Sequence, residues 1–444
     1  MADGSTGFDP ARCEVFRFSG WDYAADDARI ELHYRLVPDD IEFTETIRFP
    51  DPVHRPDHET MAPRIELLHL LAGVSYYKAA CPPQIEIDRP PSPAVARLVE
   101  TVYRNGLGEF AYCNELTDLR RRIVLPDGTG TIAPPSKGRE GIVVPLGGGK
   151  DSLVSVDLLE RAGRDFRLIS VGSSKLIQAV AATIDRPHLR IDRRISPRLL
   201  ELNRLGALNG HVPITAILAG VMLCAAPVYG FDTVVMSNER SADSANLVLD
   251  DGFQVNHQYS KTFAFEKDFS DLVQTRIDPA FRYFSLLRGH PELAISRYFA
   301  EHCRRFHGVF SSCNGNFRLD GAAGDRWCRD CPKCRFVFLM MAPFLPPGEL
   351  TAIFGANLLD DAAQAAGYAE LLGLAGSKPF ECVGEIAESQ AALGLLLEHP
   401  AWQDMAVVRQ FSGQLAPQPA GSWLTGLGET AIPAGFRELV DALG

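Results

Sequence analysis

The feature that most limits what this chain can fold into begins at Gly141. From there it reads GIVVPL, then GGGKDS, then LVSVDLLERAG: an apolar β-branched run, a glycine-rich turn and a helical stretch. The alternation continues through FRLISVG, KLIQAVAATI, LRIDRR, the apolar stretch after Pro213, and TVVMSN at Thr233–Asn238. Continuous β-branched runs separated by helices predict a parallel sheet covered on both faces, hence an α/β core. Ligands of such sheets sit at the carboxyl ends of the strands, which is where the first glycine turn falls.

The flanks differ in character. Arg17–Trp21, Ile30–Leu36 and Ile41–Phe49 alternate in side-chain character between polar turns, and predict a small antiparallel sheet. RIELLHLLAGVSYYKAA follows, with Ile65, Leu68, Leu71, Ala72 and Ser75 at helical spacing. The glycines and prolines of Pro126–Gly138 predict a linker. After about Arg335 alanine and leucine dominate and helices are expected to the end. The expected domains are an N-terminal α+β substrate-recognition domain (1–135), a nucleotide-binding domain (140–345) and a helical C-terminal region (346–444).

At 444 residues the chain is long enough for two or three domains. Its 44 basic residues against 56 acidic ones leave a net charge of −12, which lacks the field that nucleic acid or an anionic membrane attracts. A small-molecule partner is expected instead. The first twenty residues contain no apolar core of the length a secretory signal needs. Val212–Phe231 approaches a membrane span, but Pro213 and Pro227 bracket it, so the expectation is a buried helix of roughly a dozen residues in a cytoplasmic protein.

Gly147, Gly148 and Gly149 follow an apolar strand and precede a helix, with Lys150, Asp151 and Ser152 closing the turn. Backbone N–H groups at a helix N-terminus, beside an ammonium and a hydroxyl, form an anion site suited to phosphates. The Walker motif requires Ser or Thr where Asp151 stands, and the dinucleotide motif requires glycine where Ser152 stands. The second chemical signal is Cys313, Cys328, Cys331 and Cys334. Two-residue spacings let a turn offer successive thiolates to one tetrahedral zinc, and four protein ligands leave no open position, so the zinc would be structural. Cys303 is an alternative to Cys313.

GGGKDS resembles the SGGKDS loop of the PP-loop ATP pyrophosphatases, with Gly147 replacing the usual serine. The resemblance implies an adenine nucleotide alpha hydrolase-like core that cleaves ATP between its α- and β-phosphates. Gly148 to Ser152 would grip the pyrophosphate, Lys150 would neutralise it and Asp151 would assist Mg2+, while Gly172 and Ser173 would receive adenosine. With the cysteine cluster, Gly141–Leu345 also looks like 7-cyano-7-deazaguanine synthase. The whole layout, with LLHLLAGVSYYKAA, PLGGGKDS, VVMSNERSADSAN and KPFECVGE, resembles the UDP-N-acetylmuramoyl-L-alanyl-L-glutamate epimerase family of peptidoglycan-precursor enzymes. That resemblance implies ATP-dependent epimerisation of the terminal L-glutamate, with release of AMP and pyrophosphate.

Inversion at carbon takes a proton from one face and returns one to the other, usually through two side chains. Candidates are Cys382 with Glu385, His211, and Asp243 or Glu239. Asn238, Glu239 and Arg240 follow a strand where substrate would lie, and Lys78 is a further cationic contact. Two other functions are compatible with these residues: a carboxylate-adenylating amidotransferase or nucleobase-modifying enzyme, and an inactive nucleotide-binding regulator.

Overall fold

The computed structural model describes residues 7–129, 139–317, 326–415, 419–426 and 428–444, so most of the expected linker and residues 318–325, between Cys313 and Cys328, lie outside them. The chain forms two compact units. The first comprises Met1–Ile142, Leu189–Val234 and Val255–Tyr283; the second comprises Val143–His188, Val235–Gln254 and Phe284–Gly444.

The first unit is built on the expected meander: β1 (Val15–Ala24), β2 (Arg29–Val37) and β3 (Ile41–Arg48) pair antiparallel, with Phe18 opposite Tyr34 and Tyr34 opposite Phe43. Alternation buries Phe16, Phe18, Ile30, Leu32, Tyr34, Leu36, Phe43 and Ile47 on one face. Each such side chain contributes on the order of 1.5–3 kcal/mol. β4 (Gln84–Ile87) pairs parallel with β1, and Asp192–Arg194 pairs antiparallel with β3, so this part of the alternating region extends an antiparallel sheet. The helix His58–Ala72 packs on Ile214–Tyr229, where Gly220 permits the approach: a Cβ there would meet the Leu68 side chain at 3.1 Å. Among the described residues no helix is long and apolar enough to cross a membrane. Ile214–Tyr229 is 16 residues long, more than the proline positions implied, because Pro227 sits inside its last turn and Gly230, in the left-handed region, ends it.

The second unit carries β5 (Ile142–Pro145, entering from the first unit) and β6 (Arg167–Val171), which pair parallel with Val144 opposite Leu168. Beside β5 run Thr233–Met236 and then Arg282–Ser285, giving the strand sequence Arg282–Ser285, Thr233–Met236, β5, β6 at one end of the sheet. Helices Lys150–Arg161 and Lys175–Ala181 leave the carboxyl ends of β5 and β6, as the strand–turn–helix pattern requires. The fold is α/β. Beyond residue 346 the chain is helical, with Pro347–Phe354, Ala365–Leu371, Ile386–Leu397 and Ala406–Phe411 among its elements.

Candidate functional site

The glycine turn is shaped by close contacts on both sides. Gly148 has φ +81°, a conformation glycine adopts freely, and a Cβ there would meet Leu176 at 3.1 Å. Its carbonyl accepts a hydrogen bond from the Ser311 N–H at 3.0 Å, and a Cβ on Gly149 would strike the Ser312 hydroxyl at 2.8 Å. Gly147 faces open space. Gly149 is the N-cap of Lys150–Arg161 and offers no side-chain cap to the first-turn N–H groups, the donors a helix N-terminus presents to an anion. The Ser152 hydroxyl rests on the Gly149 carbonyl at 3.2 Å.

Lys150 is buried, its ammonium in direct contact with Asp151 Oδ1 and Glu292 Oε2. Burial alone would lower its pKa, but the two carboxylates outweigh that and hold it above the ordinary value. Glu292 also meets Lys333 Nζ at 3.6 Å; burial raises its pKa, yet Lys150 and Lys333 bring the net shift downward. Asp151 is shifted upward, by burial first and then by its neighbours Glu292 and Glu239, against the pull of Lys150. Carboxylate oxygens of Asp151, Glu239 and Glu292 lie within 4.8 Å of one another, an all-oxygen set of the kind hard divalent cations take.

Around this centre stand the residues after Thr233–Met236. Asn238 Nδ2 donates to Ser285 Oγ at 3.0 Å, and the Glu239 carbonyl accepts from Arg288 Nη1 at 3.0 Å. Arg240 Nε is 3.8 Å from Glu385 Oε1, and its guanidinium lies 4.8 Å from the Trp423 ring centroid. Asp243 Oδ2 is 3.8 Å from Arg288 Nη1. Glu385 is the N-cap residue of Ile386–Leu397 and is partly exposed; Cys382 is also partly exposed. Lys378 is buried, its pKa lowered chiefly by burial against the charges of Glu385, Glu239, Glu388 and Cys382. An open cleft of about 390 Å3 is lined by Ser244, Asn246, Ser377, Lys378 and Glu385, among others. Gly172 (φ +90°) and Ser173 follow β6 directly, next to the glycine turn through the parallel β5–β6 pairing.

Glu388 lies deeper. It is fully buried; Oε1 accepts the Leu293 N–H at 2.8 Å, and Oε2 has no partner among the described residues. Burial, then the neighbouring Glu292 charge, push its carboxyl up to about 8.

The four cysteines converge as their spacing predicts. All four sulfurs lie within 4.8 Å of one another, and Cys328 Sγ and Cys334 Sγ are 3.8 Å apart. Thiolates about 2.3 Å from a tetrahedral ion stand about 3.8 Å apart, so the donor set can hold a metal ion and its geometry fits zinc. Main-chain N–H groups of Cys328, Cys331 and Cys334 donate to Cys313, Cys328 and Cys331 sulfurs at 3.4, 3.3 and 3.4 Å, which orients the sulfurs before any metal arrives. Cys303, the alternative ligand, is buried outside this group.

Two expected residues, His211 and Lys78, lie in the first unit. His211 stands three residues before the Ile214–Tyr229 helix, its ring centroid 4.1 Å from that of His257, and burial pushes its imidazole down to about 3. Lys78 is buried, its ammonium donating to Asn209 Oδ1 at 2.6 Å, and burial lowers its pKa to about 8. Tyr76 and Tyr77 are buried too, with the Tyr76 hydroxyl donating to Glu45 at 2.9 Å, so this stretch is core and not a surface patch. Glu292, Lys378 and Glu388 escaped the sequence reading. Lys378 opens the KPFECVGE stretch and was within reach; Glu292 follows a proline at a helix start, and nothing local marks it as a partner of Lys150.

Residues 7–286 match the family model of the MurL N-terminal domain, and residues 309–423 match that of the MurL C-terminal domain. The chain belongs to the MurL family. Its relatives in that family include the UDP-N-acetyl-alpha-D-muramoyl-L-alanyl-L-glutamate epimerase of Xanthomonas oryzae pv. oryzae, 49% identical over 80% of this chain and 79% of the relative. The enzyme of the same name from Salinispora tropica is 44% identical over 93% of this chain and 91% of its own. A Micromonospora enzyme, again so named, is 44% identical over 90% of each. The glycine turn, the Asn238–Asp243 segment and the cysteine cluster all lie inside the two MurL-matched spans.

Proposed function

We propose that this chain is an epimerase that converts the terminal L-glutamate of UDP-N-acetylmuramoyl-L-alanyl-L-glutamate to the D form. It consumes ATP and releases AMP and pyrophosphate in the cytoplasmic synthesis of peptidoglycan precursors. The names of three relatives at 44–49% identity support the substrate. The observation that carries the ATP requirement is the glycine turn at the end of β5, with uncapped N–H groups and Lys150 held by Asp151 and Glu292. We read this as a PP-loop.

The need for ATP follows from the carbon acid. A hydrogen α to an ionised carboxylate is scarcely acidic, since its removal sets a second negative charge beside the first. Attack of the carboxylate oxygen on the α-phosphorus, with pyrophosphate leaving, forms a mixed anhydride that cancels that charge and makes the carbonyl an electron sink. Lys150 and the turn N–H groups stabilise the departing pyrophosphate, and Asp151 with Glu239 would hold Mg2+ against the phosphates. A base then removes the α-proton, and an acid returns one to the opposite face. Cys382, Glu385 and Asp243 are our candidates, and Arg240 and Lys378 supply positive charge for the substrate's carboxylates. Water hydrolyses the anhydride to AMP and the inverted acid. The cysteine cluster would hold a structural zinc and takes no part in these steps.

The test is incubation with ATP, Mg2+ and each diastereomeric precursor in heavy water, followed by chiral analysis of the glutamate. The L-Glu precursor should yield D-Glu carrying deuterium at the α-carbon, and only with ATP present. Unchanged L-Glu, or inversion without deuterium entry, would overturn the proposal.

A further inference from the structure

A cluster in the first unit is absorbed by none of this chemistry. Glu109, on the short helix Gly108–Cys113, His211, on the stretch before Ile214–Tyr229, and His257, just before Tyr259–Lys261, converge from three separate parts of the chain. Glu109 Oε2 touches His257 Nδ1, and the two imidazoles face each other at 4.1 Å with an interplanar angle of 38°. One ligand atom from each residue lies within 4.8 Å of the others.

We infer that Glu109, His211 and His257 form a second metal site, for a zinc-class divalent cation, separate from the cysteine cluster. Two imidazoles and one carboxylate are the donors that borderline first-row ions select, and three protein ligands leave a fourth position for water or an oxyanion. Nitrogen and oxygen atoms about 2.1 Å from such an ion stand about 3.4 Å apart, so the cluster reaches this arrangement with side-chain shifts on the order of 1 Å. The His257 main chain also acts on the His211 imidazole as a hydrogen-bonding partner, the kind of outer contact that orients a ligating histidine. Glu109 and His211 are half-buried, which keeps an entry path from solvent. Lys261 opposes it, its positive charge felt at His211, and its ammonium donates to Gln258 Oε1 at 3.3 Å. When filled, the site would pin Gly108–Cys113 to the segments around His211 and His257.

The test uses the full chain, stripped with chelator and titrated with Co2+ and, separately, Zn2+, with neither nucleotide nor precursor present. Cobalt on cysteines gives intense thiolate charge-transfer absorption; cobalt on His211, His257 and Glu109 gives only weak visible bands. The inference predicts an equivalent with no thiolate signature that Glu109→Gln weakens at least about tenfold and Glu109→Gln/His257→Gln abolishes, apart from any cobalt held by Asp151 and Glu239. If that double variant fails to fold, the wild-type cobalt spectrum and Glu109→Gln alone decide. A wild-type chain whose bound metal all carries the thiolate signature, or a Glu109→Gln variant that keeps full affinity, overturns the site whatever the enzyme assay returns.

Discussion

Replacing Glu388 with glutamine should stabilise the protein increasingly as pH rises. The carboxyl is fully buried, and its pKa lies at about 8 against an ordinary value of 4.5. Between those values the folded state holds a proton that the unfolded state has lost, so stability falls with rising pH, by at most about 1.4 kcal/mol per pH unit. The loss is absent below pH 4.5, approaches about 3 kcal/mol near neutrality, and levels off at about 5 kcal/mol above pH 8. Glutamine keeps the acceptor for the Leu293 N–H and cannot ionise, so near pH 4.5 the two proteins should differ by no more than about 1 kcal/mol. Denaturant unfolding of both proteins at several pH values across this window measures the gap. A difference that stays constant across it would refute the assignment of a buried, protonated Glu388.

Glu292→Gln removes one of the two carboxylates holding buried Lys150 and should cost about 3 kcal/mol of unfolding free energy, together with more than about tenfold of AMP formation. Wild-type values for both in denaturant titrations and turnover assays would contradict the assigned anchor. Gly148→Ala meets both φ +81° and the Leu176 contact at 3.1 Å, so a loss of about 1–3 kcal/mol is expected in the same unfolding assay. Cys331→Ser should reduce the thiolate-bound metal, expected at about one ion per chain, and lower the melting temperature more than it changes precursor affinity. Elemental analysis with a thermal melt checks it.

Much of this was legible because it is local. Alternation fixes which face of β1–β3 is buried, and the GGGKDS turn and the cysteine spacing are read within a few residues. What escaped is set by chain folding over long separations. Glu292 reaches Lys150 across 142 positions, and Glu388 reaches Leu293 across 95. Lys78 reads as an exposed cation beside two tyrosines, but the helix pair His58–Ala72 and Val74–Tyr77 carries that stretch into the core. His211 reads as a lone histidine at a helix start; only folding brings Glu109 and His257 to it. Pro227 reads as a helix end, yet in a final turn proline forfeits one hydrogen bond and the helix continues through it.

The central claim is that the turn at Gly147–Ser152 grips the pyrophosphate leaving ATP as the glutamate carboxylate is activated. Its most direct measurement is AMP formed per D-glutamate produced, in the wild type and in Lys150→Met. The account predicts AMP, and no ADP, only when the precursor is present, at no less than one per inversion, with both products lost together in Lys150→Met. ADP as the nucleotide product, or inversion that continues in the variant while AMP is absent, would contradict it.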